Sequence, residues 1–185
     1  MNLKKHDSSL LNPDFKNKVH PVRINEKGHV HFVTTSCCQR KPFFDSFEIR
    51  KIVLHSIDHI RNKKEFFVFG YVIMPEHAHF LLAAKQEQPI SKIVGALKWY
   101  VSINVLKAFR EKGVEENKLW QERFYDFNIF TQEKLIEKLT YCHQNPVVRR
   151  LVNSPGQWPH SSFRNYEIDD DKVFRVDRWW EYWEA

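Results

Sequence analysis

Two histidines one residue apart, His77 and His79, are the first candidates for chemistry in this chain of 185 residues. They open the run HAHFLLAA (77–84), which reads as a β-strand. Strand alternation puts residues i and i+2 on one face, so both imidazoles point the same way. Two neutral imidazoles so placed can chelate one divalent cation. Spacing alone does not decide this. With ten histidines in the chain such pairs arise by chance, and a second pair, His29 and His31, is present. Context separates the two. His77 and His79 stand among Ala, Phe and Leu, where polar rings need partners or destabilise the strand. A cation would satisfy both. His29 and His31 lie near the start of another strand, within reach of water, and read as ordinary residues.

Tyr141 and Asn145 are the next candidates. Residues 131–144 have helical periodicity, with Leu135, Ile136, Leu139 and Cys142 as the apolar stripe. Tyr141 follows Leu139 by two positions, about 200° of rotation, and so points away from that stripe. Asn145 shares its face if the helix persists. The pair could bring a phenolic and a carbonyl oxygen to one site. A surface tyrosine and a helix-capping asparagine fit the same pattern.

The elements that must position these residues follow from periodicity. Residues 28–38 form a strand. Phe47 to about Lys63 is a helix, with Ile49, Ile52, Val53, Ile57 and Ile60 at intervals of three or four. Phe66–Ile73 is an apolar strand, joined by a short connection to His77–Ala84. The latter is apolar on both faces, as a central strand is. A long helix follows, from Pro89 to about Lys112, with Gly113 as its stop. Residues 120–130 are aromatic and partly extended. The late helix starts behind Thr131 as N-cap and ends at Asn145-Pro146. This order predicts an α+β fold, best a ferredoxin-like split βαβ: an antiparallel sheet with helices packed on it.

Composition sets the outer limits. Apolar residues make up 42% and aromatics 15%, which supports one folded domain. No run of about 18 uncharged apolar residues is present, and the first twenty residues lack the apolar core of a signal peptide. A cytoplasmic protein with no membrane partner is expected. Cys37, Cys38 and Cys142 have neither zinc-ligand spacing nor the number for a disulfide scaffold, and read as reduced thiols. The net charge of +6 is uneven. Residues 167–185 form an acidic, Trp-rich tail with seven acids against three bases. Residues 1–27 form a basic arm with Lys4, Lys5, Lys16, Lys18, Arg23 and Lys27, and 28–166 is the main domain. A basic body suggests a polyanion partner. Lys98, Trp99, Arg123, Arg149 and Arg150 are candidate backbone or stacking contacts.

Four segments taken together, VIMPEHAHFLL (72–82), ISKIVGALKWYVSIN (90–104), LWQERFYDF (119–127) and YCHQNPVVRRLV (141–152), resemble the HUH single-tyrosine (Y1) transposases of the IS200/IS605 type. The resemblance is greatest to the REP-associated tyrosine transposases and runs from about Gly28 to Ser162. It implies the ferredoxin-like HUH-endonuclease fold, with the histidines on a central strand. His77 and His79 match the His-hydrophobic-His motif, and Tyr141 matches the nucleophile. Asn145 matches the helix position that supplies a third metal ligand. That position is Gln in IS200/IS605 enzymes, and Asn reaches less far.

The resemblance further implies cleavage and rejoining of single-stranded DNA beside a hairpin. A cation on His77, His79 and Asn145, Mg²⁺ with Mn²⁺ as substitute, would stabilise charge on the phosphate. Tyr141 would attack phosphorus, giving a 5′-phosphotyrosine and a free 3′-OH. Both monomers and homodimers fit the family. The chief alternative is a domesticated module that holds hairpin DNA without cutting it. A metal-dependent hydrolase would need a carboxylate at the metal. The nearest acid, Glu76, is expected on the opposite face of the strand, as the immediate neighbour of His77.

Overall fold

The computed structural model describes residues 29–184, so the basic arm at 1–27 lies outside the described residues. Four strands form one sheet: β1 (Val30–Ser36), β2 (Phe66–Ile73), β3 (His77–Ala84) and β4 (Tyr125–Ile129). Their order is β2-β3-β1-β4, and every neighbouring pair is antiparallel. Helix α1 (Phe47–Lys64) connects β1 to β2, and α2 (Ile90–Glu111) connects β3 to β4. This is the split βαβ arrangement, with β1 and β3 central. The long helix α3 (Gln132–Val148) follows β4, and two short helices, α4 (Phe163–Glu167) and α5 (Trp179–Glu184), complete the described residues. Among the described residues, no helix is long and apolar enough to cross a membrane.

Local signals set the helix starts. The Ser46 hydroxyl accepts from the Ile49 amide at the head of α1, and the Thr131 hydroxyl accepts from the Lys134 amide at the head of α3, both at 3.2 Å. Every residue of β3 is buried, as a central strand covered on both faces requires. Helices α1 and α2 pack against each other and on one face of the sheet. Helix α3 lies on the other, the face shared by His77, His79 and Leu81.

Gly70 leaves room for a side chain of α3. A Cβ there would stand 2.5 Å from Leu139 Cδ1 and 3.2 Å from Leu81 Cδ1, so a larger residue would force these two leucine side chains to shift. The β2–β3 register shifts between Val68 and Gly70, which marks the same spot as a bulge.

The end of α3 corrects the sequence expectation. The helix does not stop at Asn145-Pro146 but runs to Val148, with Pro146 inside it. The missing amide falls in the last turn, where one absent helical bond matters least. Beyond it the Arg149 amide donates to Asn145 O, the Arg150 amide to Val147 O and the Leu151 amide to Pro146 O. Arg150 takes the left-handed conformation (φ 57°) that closes such a helix end. Asn145 is therefore held in helix, one turn beyond Tyr141.

The acidic, Trp-rich segment packs on the domain. Asp177 exchanges two bonds with Val68, accepting from its amide at 2.8 Å and donating its own to the Val68 carbonyl at 2.9 Å. Trp179 is fully buried. Together with residues 160–162, which bond to Tyr71 and Ile73, this segment covers the outer edge of β2. The three cysteines are free thiols, as expected.

Candidate active site

A cleft of about 540 Å³ opens between the sheet and α3, and it collects the predicted chemical residues. His77 and His79 come from β3, Phe32 and Thr34 from β1, and Tyr125 from β4. Lys138, Tyr141, Gln144, Asn145, Val148 and Arg149 come from α3 and its end, and Arg40 from the turn after β1. His77, His79, Tyr141 and Asn145, more than 60 residues apart in sequence between strand and helix, thus meet in one place.

The two imidazoles face each other through Nε2, 3.1 Å apart. On the far side of His77, Nδ1 donates to Glu76 Oε1 at 3.2 Å. A carboxylate only accepts, so the proton sits on Nδ1 and the Nε2 lone pair of His77 points at His79. His79 Nδ1 bonds the Thr34 hydroxyl at 2.8 Å, and a hydroxyl can serve either tautomer. The Asn145 amide lies 3.2 Å from His79 Nε2 through Nδ2, while its Oδ1 is buried with no hydrogen-bond partner among the described residues. Turning this amide over exchanges the two atoms and brings Oδ1 to the imidazoles. Two ring nitrogens and one amide oxygen then converge.

That donor set fits a divalent cation. Imidazole and carbonyl oxygen together suit Mn²⁺, and the oxygen suits Mg²⁺. Three protein donors leave other positions open for water or substrate. Burial, followed by the charges of His77 and Arg40, holds the His79 pKa down at about 3. Burial also lowers that of His77, against the pull of Glu76. Both rings are neutral at neutral pH, the form that binds metal. No three His, Cys, Asp or Glu side chains cluster as a metal site among the described residues, so the amide is needed to complete a third donor.

Tyr141 stands beside this group. Its ring centroid lies 5.2 Å from that of His79 and 5.8 Å from that of Phe32, edge-on to both, and half of the residue is exposed to the cleft. Arg40, Lys138 and Arg149 make the walls cationic. Arg40 reaches the cleft from a left-handed turn, with φ 55° at Gln39 and 57° at Arg40.

Glu76 is a second correction. It does not point to the opposite face, because it precedes β3 and strand alternation does not govern it. Its carboxylate bonds His77 Nδ1 and Arg149. It stands behind the ring, away from the paired Nε2 atoms, so it is not placed as a base at a metal-bound water. The candidate DNA contacts divide. Arg149 lines the cleft, and Arg150 and Trp99 are exposed, Trp99 to 63%, with Arg123 also at the surface. Lys98 instead donates to the carbonyls of Gln121 and Glu122, at 2.6 and 2.9 Å, and ties the aromatic segment to α2. Thr34, Arg40, Lys138 and Gln144 are cleft residues that the sequence reading missed. For Lys138 the signal was available: it precedes Tyr141 by three positions, on the same helix face.

Known proteins share this fold. The family model described as "Transposase IS200 like" matches residues 25–145. A curated protein of Haemophilus influenzae described as a REP-associated tyrosine transposase is 26% identical over 146 residues, 74% of this chain and 81% of that protein. Another, of Escherichia coli, is 23% identical over 138 residues, 74% of this chain and 78% of that protein. Among solved structures, a REP-associated tyrosine transposase bound to a REP hairpin superposes with a TM-score of 0.63 at 21% identity, over 79% of this chain and 83% of that one. A protein of Deinococcus radiodurans described as a transposase does so with a TM-score of 0.51 at 16% identity, over 66% and 94%. The fold is theirs, and the match along most of the chain places this protein in the IS200-like transposase family.

Proposed function

We propose that this transposase cuts and rejoins single-stranded DNA beside a hairpin, through a covalent tyrosine intermediate and with a divalent cation. The observation that carries the reading is the convergence of the His77 and His79 Nε2 atoms and the Asn145 amide beside the accessible Tyr141 ring. The hairpin is supported by the structural neighbour bound to one.

His77, His79 and Asn145 would hold the cation. When bound, it supplies charge stabilisation to a non-bridging oxygen of the scissile phosphodiester. Arg40, Lys138 and Arg149 attract and orient the strand through its phosphates. The Tyr141 oxygen forms a bond to phosphorus and loses its proton to solvent. The bond from phosphorus to the 3′ oxygen breaks, and that oxygen takes up a proton. The products are a 5′-phosphotyrosine and a free 3′-OH. The phosphoester is conserved, so a second 3′-OH can reverse the step and join strands without a nucleotide cofactor.

The test is a denaturing gel. Purified protein is mixed with Mn²⁺ and labelled single strands copied from the DNA that flanks its gene. The expected result is a protein-linked label that is lost in Tyr141→Phe and with a chelator. An adduct that survives Tyr141→Phe overturns the nucleophile. Strands retained on a native gel without any adduct favour a binding module that no longer cuts.

A further inference from the structure

Glu76 has a place in this site that the cleavage chemistry does not require. Its Oε1 accepts from His77 Nδ1 at 3.2 Å and from Arg149 Nη2 at 2.8 Å. The Glu76 side chain is 12% exposed, and the guanidinium side chain that holds it is 54% exposed. The backbone of Glu76 serves the β1–β3 pairing separately: its carbonyl accepts from the Cys37 amide at 2.9 Å. A largely buried carboxylate between an imidazole and a guanidinium has two consequences. It admits only the tautomer with the proton on Nδ1, and it fixes the angle of the ring. His79 differs, because its Nδ1 partner is the Thr34 hydroxyl, which accepts or donates.

We propose that Glu76 is the positioning residue of the site: clamped by Arg149, it locks His77 in the Nδ1–H tautomer and aims its Nε2 lone pair at the cation position. This rests on the metal-binding reading above. Partners of this kind, one bond removed from a metal, alter affinity by about 10–100-fold.

The experiment uses the full chain. Long-range ¹H–¹⁵N correlation spectra of the metal-free protein report the tautomer of His77, and a Mn²⁺ titration followed by electron paramagnetic resonance reports affinity. The unaltered protein should show His77 protonated on Nδ1. Glu76→Ala should shift it toward the Nε2–H form and weaken Mn²⁺ binding about 10–100-fold. Glu76→Gln, whose amide oxygen still accepts, should keep the tautomer and lose less affinity. If Glu76→Ala does not fold, the unaltered protein and Glu76→Gln carry the tautomer test. A merely structural Glu76 would lower the melting temperature and leave the tautomer unchanged. His77 protonated on Nε2 in the unaltered protein, or a Glu76→Ala variant with unchanged tautomer and affinity, overturns the proposal. A tautomer shift in a protein that binds no Mn²⁺ at all overturns the metal reading instead, and leaves the positioning of His77 standing.

Discussion

His77-x-His79 and His29-x-His31 have the same spacing and end in unlike surroundings. The first pair lies on central strand β3 beneath α3, both rings buried, with Nε2 atoms 3.1 Å apart. In the second, His31 pairs with Asp126 across β1 and β4, while His29 packs edge-on against Phe130. His143 gives a third contrast. It is two residues from Tyr141 on the same helix, yet it turns the other way and bonds Ser162 in the core. What makes a site here is the layer above the histidines. Over the β3 pair, α3 and its end present a phenol, an amide and two cations.

The largest effect should separate the tyrosines. Tyr141→Phe should lower adduct formation on the order of 10³-fold or more, as loss of a covalent nucleophile does. Tyr125→Phe, in the same cleft, should keep the adduct on the same gel. Next come the histidine pairs. His79→Ala should weaken Mn²⁺ binding by at least about 100-fold, while His31→Ala leaves it unchanged by calorimetric titration. Equal effects would remove the distinction between the pairs.

Acid should act on the buried rings. Burial holds His79 and His143 at about 3 and His160 at about 4, against an ordinary 6.5. The folded state keeps these rings neutral, while the unfolded chain takes up protons as the pH drops below about 6.5. Their contribution is complete above that value and is lost progressively toward the folded-state values of about 3 to about 4. In a chelator, the melting temperature should be level above about pH 7 and fall steadily below about pH 6. A level profile down to about pH 4.5 would contradict the buried, neutral state of these rings.

Three smaller effects distinguish the cations. Arg40→Gln should reduce the salt slope of DNA binding by about 1, as removal of one phosphate-binding cation from the cleft wall does. Lys98→Gln should leave the slope unchanged and lower stability, because its ammonium holds two carbonyls. Arg150→Gly should raise stability by about 1 kcal/mol, since glycine adopts the left-handed backbone at this helix end without strain. Thermal melts measure it.

Much of the scaffold was legible. β2 and β3 are continuous apolar runs with polar breaks, and periodicity fixed the order of strands and helices. The extent of α3 was not, because Pro146 reads as a terminator until its buried place in the last turn is known. Glu76 was misread because alternation was extended one residue beyond the strand that obeys it. Arg40 depends on a left-handed turn that no local pattern announces. For Lys98, charge in a sequence does not reveal that its ammonium meets the carbonyls of Gln121 and Glu122.

The most direct test of the central claim is to digest the DNA-linked protein and locate the nucleotide by mass spectrometry. The account predicts a phosphodiester on the peptide that carries Tyr141. A nucleotide on Tyr100 or Tyr125, or cut strands with no peptide attached, would contradict it.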